Sequence, residues 1–324
     1  MLRLQGETYN DRMDHAPKHS LLEVSQEEME RVRQYYNVDK KNILQDIETI
    51  EEWGMKQEHL AEAMKYLHRE MLERFYLFAK GSVENTKNII EKLFTMRGMI
   101  SELALNQSFD EFKNLLENID VVVMPKLTPD LSRVNVIRFE TGKWDDFSFQ
   151  TFVRYTFLFV DYRMHYDYNV SETYIVDLKN LRFNDLIKFS PMIIKKGETL
   201  ALECYKKNII GMHLLNAPSF IDTILSMVRQ ALKESIAVKV HVHKCYEDLH
   251  KVLPKDYVPE DYGGLGLSIS KLSELWKECF SSEEAREIAQ NTNKLFSDES
   301  KRNSYKFNEE YLGMPGSFKK LTVD

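Results

Sequence analysis

The sequence predicts an α/β protein: an N-terminal all-helical lobe, then a domain whose mostly parallel sheet is covered by helices. Three observations carry that expectation. Residues 209–243 read as strand, helix, strand, the unit that builds parallel sheets. Residues 134–206 alternate in the same way between β-branched runs and longer helical stretches. Residues 25–105 carry helical spacing alone. The 324 residues then divide into a flexible tail (1–24), a helical lobe (25–105), the α/β domain (106–280) and a C-terminal helix and tail (281–324).

In the lobe, Ser25-Gln26-Glu27-Glu28 has the pattern of a capping box. Leu60, Met64, Leu67, Met71, Phe75 and Phe78 recur at steps of three and four, Gly81 ends that helix, and Ser82 caps the next. Ile89, Leu93, Met96, Ile100 and Leu103 repeat the stripe. Residues 106–128 read as a connector with a short helix, and Pro125, Pro129 and Asp130 mark turns. Val134–Phe139 is a strand, Trp144 to about Tyr166 an aromatic helix, and Thr173–Leu178 a second strand. Phe183–Phe189 and Met192–Lys206 are helical, split at Pro191. Ile209–Leu215 is a strand stopped by Asn216-Ala217-Pro218, Ser219–Ser235 is a helix, and Val238–His243 is a strand. Helices at 268–280 and 283–294 precede a polar tail.

At 100° per residue, Phe220, Ile221, Ile224, Leu225, Met227, Val228, Ala231 and Leu232 fall within an arc of roughly 160°. So broad an apolar face must cover something apolar. Pattern alone fits a helix packed on its own sheet better than a lid over a ligand cavity.

Composition excludes some functions. A net charge of −7 lacks the general basic excess of a nucleic-acid binder. Three scattered cysteines, Cys204, Cys245 and Cys279, suit free thiols in a reducing compartment. The N-terminus shows no apolar signal core, and no apolar run approaches the ~20 residues of a membrane span. A cytoplasmic monomer is expected. The chain has no phosphate-binding G-x-x-x-x-G-K-[ST] loop and no G-x-S-x-G elbow. His213, His241 and His243 share neighbouring strands, but no further ligand stands at metal spacing, so they read as structural. No enzyme activity, cofactor or metal is expected.

The segment HLLNAP (213–218) followed by Phe220, the helix after it, VKVHVH (238–243) and LP-x4-PEDYGG (253–264) resembles the CRAL-TRIO (Sec14-like) lipid-binding family. The likeness is strongest to the branch of the α-tocopherol transfer protein and cellular retinaldehyde-binding protein, and it covers about residues 25–280. The resemblance implies a three-helix lobe, a lipid-binding domain and a helical gate over 219–235. It places the cavity wall on Val153, Thr156, Val160, Val176, Leu200, Tyr205, Ile209 and Met212. The gate adds Phe220, Ile224 and Val228. Thr156 and Tyr205 offer hydroxyls to orient a ligand.

The family's basic cleft for a phosphoinositide headgroup falls on Asn208, Ser235, Lys239 and near Lys80. Asn208 and Ser235 are not basic, so the cleft is degraded or rebuilt with Lys206, Lys207 and Lys233. The implied function is non-enzymatic binding and transfer of a hydrophobic small molecule, such as tocopherol, a retinoid, a carotenoid or another isoprenoid. Contact with anionic membranes would be peripheral and transient. The alternative is a lipid-sensing signalling adaptor without transfer activity.

Overall fold

The computed structural model describes residues 15–140 and 147–302. The lobe contains α1 (Gln26–Tyr35), α2 (Lys40–Met55), α3 (Arg69–Phe78) and α4 (Val83–Met99), with short helical turns between. The capping box forms as the sequence predicts: Ser25 Oγ accepts from the Glu28 amide, and Glu28 accepts from the Ser25 amide. Gly81 takes a positive φ of 73°, and Ser82 caps α4.

The sheet has the order β1 (Ile119–Val123), β2 (Ser132–Phe139), β3 (Ser171–Asp177), β4 (Ile209–Leu215) and β5 (Val240–Val242). β1 runs antiparallel to β2, and the other pairings are parallel. The sequence reading missed β1 by taking 106–128 as a connector. Its five residues, IDVVV, are buried throughout, so they show no alternation to separate a strand from an apolar loop.

The aromatic helix is α5 (Phe149–Tyr166); Trp144, its expected start, lies outside the described residues. Next come α6 (Pro191–Glu198), capped by Ser190, and α7 (Ile221–Ala231). The chain closes on α8 (Ile269–Ser281) and α9 (Glu283–Thr292). The helix expected over 192–206 changes character: after α6, residues Thr199–Cys204 form a π-helical turn. Part of the expected tail is packed, because Leu21 and Leu22 are buried in the sheet-side core.

Two apolar cores meet at α5. Val153, Phe157 and Met164 face the lobe, while Tyr155, Phe159 and Tyr162 join the sheet, Trp276 and Phe280. A period near 3.6 in an aromatic-rich helix serves both sides at once. The PEDYGG segment ties this assembly together. Tyr262 donates to Asp177 at 2.9 Å, and Asp261 accepts from the Ile269 amide at 2.8 Å. A Cβ at Gly264 would stand 2.0 Å from the Val258 carbonyl oxygen, so only glycine fits that turn.

Candidate functional site

A cavity of 220 Å³ lies between one face of the sheet and the helices α5 and α6. Val153, Thr156 and Val160 enter from α5, and Ile209 enters from β4. α6 contributes Ile193, Ile194 and Gly197, which the sequence reading did not single out. The lining is mostly apolar, with Asn135, Thr156, Arg163, Tyr174 and Lys207 as its polar members.

Those polar groups are already engaged. Arg163 donates to Asn135 Oδ1 at 3.0 Å and pairs with Glu172 at 2.9 Å. Lys207 pairs with Glu172 at 2.6 Å, and Tyr174 donates to the same carboxylate at 2.6 Å. Burial pushes the Glu172 carboxyl up, but Lys207 and Arg163 outweigh it and hold the group down at about 2. Thr156 Oγ1 donates to the Val153 carbonyl at 2.7 Å, so toward a ligand its hydroxyl retains acceptor capacity.

The remaining residues of the expected wall stand elsewhere. Leu200 and Tyr205 lie in the lobe-side core. The π-helical turn accounts for this: it turns Ala201 toward the cavity, while Leu200, Cys204 and Tyr205 are buried on the lobe side. The Tyr205 hydroxyl donates to Asp161 at 2.5 Å and accepts from Arg97, which also pairs with Asp161 at 3.0 Å. Met212 pairs in register with Tyr174, and Val176 lies two residues further along that strand. Both therefore share the cavity's face of the sheet, beyond its present wall.

Phe220, Ile224 and Val228 do not line the cavity. They are half-buried on α7, which packs against α6. Phe220, Ile221, Ile224, Leu225 and Met227 rest on the sheet-side core together with Val176 and Val240. Of the α7 residues only Ala231 is buried, and no side chain caps the helix.

The lysines are unequal. Lys207 is committed to Glu172 as described. Lys233 and Lys92 both reach Glu203, at 2.7 Å each, and Lys239 Nζ donates to the Ile209 carbonyl at 2.6 Å. Lys80 and Lys206 are exposed, each at positive φ. Burial, then Lys92, lowers the Lys206 pKa, so several cations crowd one carboxylate here.

On the other sheet face His213 Nδ1 lies 2.8 Å from His243 Nε2 and stacks on His241. Burial, then His243 and His241, lowers the His213 pKa to about 4.

Residues 118–264 match the model of the CRAL/TRIO domain. The chain carries a CRAL/TRIO domain. That stretch contains the five strands, the cavity and α7. Among curated proteins, the human "Alpha-tocopherol transfer protein-like" is 29% identical over 91 residues, covering 28% of this chain and 27% of that protein. Rat "Clavesin-1" is 23% identical over 91 residues, 28% of this chain and 26% of its own. The matched stretch thus spans about a quarter of these relatives' length. A solved structure titled "Crystal structure of Sfh5" superimposes with a TM-score of 0.43 at 14% identity, covering 63% of this chain and 74% of that one. Among the described residues, no helix is long and apolar enough to cross a membrane.

Proposed function

We propose that the CRAL/TRIO domain binds a hydrophobic small molecule between its sheet and the helices α5, α6 and α7, and carries it between membranes without catalysing a reaction. The observation that supports this most strongly is the cavity itself: apolar over most of its wall, with a few paired polar groups. Such a wall suits a ligand with an apolar body against Val153, Val160 and Ile209. One hydroxyl or carbonyl of the ligand would meet Thr156 or the polar members. Burial yields about 25 cal/mol per Å² of apolar surface, so an isoprenoid tail contributes on the order of several kcal/mol.

The cavity of 220 Å³ is smaller than the roughly 300–1,000 Å³ of small-molecule pockets, so uptake requires a wall to yield. α7 is the wall best suited to it. Moving α7 would extend the cavity along Val176 and Met212 and free the apolar face of Phe220, Ile224 and Val228. That face would then lie at a membrane's acyl boundary as an interfacial amphipathic helix. Lys80 and Lys206, assisted by Lys233 and Lys239, would hold it at an anionic surface from the cytoplasmic side, at about 1 kcal/mol per residue. A phosphoinositide headgroup is one such anion.

The test is an organic extract of purified protein analysed by mass spectrometry, with a vesicle-to-vesicle transfer assay of whatever is found. One equivalent of bound lipid and catalysed transfer are expected. Protein free of lipid, and inert toward added isoprenoids, overturns the reading. Bound lipid without transfer would instead mark a lipid-sensing adaptor.

A further inference from the structure

A second cluster lies away from the cavity, where the lobe meets α5 and α9. His68 is the N-cap residue of α3, Glu70 lies in the first turn of that helix, and His165 is close to the C-terminus of α5. One donor atom from each of the three lies within 4.8 Å of the others. The two imidazoles stand edge to face, 4.9 Å between centroids. His165 is 7% exposed, and its Nε2 is buried without a hydrogen-bond partner. A buried nitrogen left without a partner calls for an explanation, an ion among them.

We propose that His68, Glu70 and His165 form a binding site for a divalent transition metal of the Zn²⁺ class, clamping the helical lobe to the CRAL/TRIO domain. Two imidazoles and one carboxylate are the donor set of zinc centres that keep a fourth position open. Calcium and magnesium would want oxygen ligands instead. Bonds of about 2.0–2.1 Å place donors around a tetrahedral zinc roughly 3.4 Å apart, so closure from 4.8 Å or less needs side-chain shifts of about 1 Å. Asn291 of α9 has its amide nitrogen 3.2 Å from His68 Nε2. With that amide turned over, its oxygen would accept from His68 Nε2–H and leave Nδ1 for the metal, as outer-shell partners of metal-bound histidines do.

Arg74 sits near the His165 ring. The Arg74 charge does not oppose a cation uncompensated, because Glu73 lies 3.5 Å from its guanidinium. α3 and α5 belong to the two halves of the molecule, so a metal here bridges them.

The test uses the full chain stripped with a chelator, on a background with His213→Asn, His243→Asn and Cys245→Ser to remove competing donors. Calorimetric titration with ZnCl2 is expected to give one equivalent, and thermal unfolding a Tm raised by several degrees. Glu70→Gln and His68→Asn should each weaken binding tenfold or more and remove the rise in Tm. Both residues are half-buried, so these variants are expected to fold even where a His165 variant does not. Cobalt substitution should give a visible d–d spectrum without a thiolate charge-transfer band. Absence of zinc binding in the parent, unchanged affinity in both variants, or a thiolate band would each overturn the proposal.

Discussion

The two sides of α5 are held by different physics. On the lobe side, charges are buried in pairs. Arg97 is fully buried, pairs with Asp161, and donates to the carbonyls of Ala104 and Thr292 at 2.8 and 2.7 Å. Arg33 pairs with Glu73 at 3.0 Å, and Glu73 accepts from Tyr168 at 2.9 Å. Near the end of the helix, Asp167 is clamped by Arg133 and Arg163, each at 2.7 Å. Burial alone would raise the Asp167 carboxyl, but the two guanidiniums hold it well below the usual carboxylate range. On the α6–α7 side, α7 is uncapped and half-buried, resting on the core through its apolar face. Removing one partner of a buried pair leaves a stranded charge, whereas lifting an apolar helix onto another apolar surface loses little. The difference teaches where the proposed motion belongs: the lobe junction is a frame tied by buried ion pairs, whereas α7 rests on apolar contact without a side-chain cap.

The largest effect should come from breaking the frame. Arg97→Met leaves Asp161 buried without its cation and should cost about 3–5 kcal/mol, read as a lower midpoint in urea unfolding. Ile224→Ser on α7 should cost about 1 kcal/mol in the same assay, since Ile224 is half-buried. Equal costs would erase the distinction between the two sides.

Val160→Asp sharpens the comparison from inside the cavity. An unpaired carboxylate there costs several kcal/mol unless it is neutralised. Ligand binding should vanish while the lobe stays folded, as measured by fluorescence titration and circular dichroism. Intact binding by the folded variant would move the ligand site elsewhere.

Acid should attack the ion pairs at the polar wall of the cavity. The Glu172 carboxyl is held down to about 2, below its unfolded value near 4.3. Its contribution is therefore complete above about pH 4.3 and is lost as pH falls through about 2. Glu172→Gln should flatten stability between those limits, although Lys207 is left unpaired and total stability drops. An unchanged acid profile would show that Glu172 is not the group being titrated.

The smallest effect concerns the surface. Lys80→Glu with Lys206→Glu should weaken binding to anionic vesicles, more at low salt than high, because screening is weak there. Binding equal to the parent's at low salt would remove these lysines from the account.

How legible this was in the sequence varied by physical cause. The β4 strand and the lobe caps follow from local periodicity and capping chemistry and stand at the expected places, while α7 keeps most of its apolar arc but ends at Ala231, short of the expected Ser235. β1 was hidden because a strand buried on both faces has no alternation. Tyr205 illustrates a deeper limit. The family resemblance put it on the wall, but a π-helical turn and the distant Arg97 decide where its hydroxyl goes. Arg163, Tyr174 and Lys207 were not expected at the cavity because their role depends on pairings across the sheet, between residues far apart in the chain. The cluster of His68, Glu70 and His165 has the same origin: three donors from two segments almost a hundred residues apart carry no spacing signal.

Hydrogen exchange of the full chain, with and without anionic vesicles, tests the central claim most directly. Amides of α7, residues 222–231, should exchange through local opening at rates far above those of α5, residues 153–165, which should exchange only with global unfolding. Vesicles should change the α7 rates and leave α3, α4 and α5 as they were. Exchange of α7 as slow as that of α5, and indifferent to vesicles, would contradict the account and make α7 part of the frame.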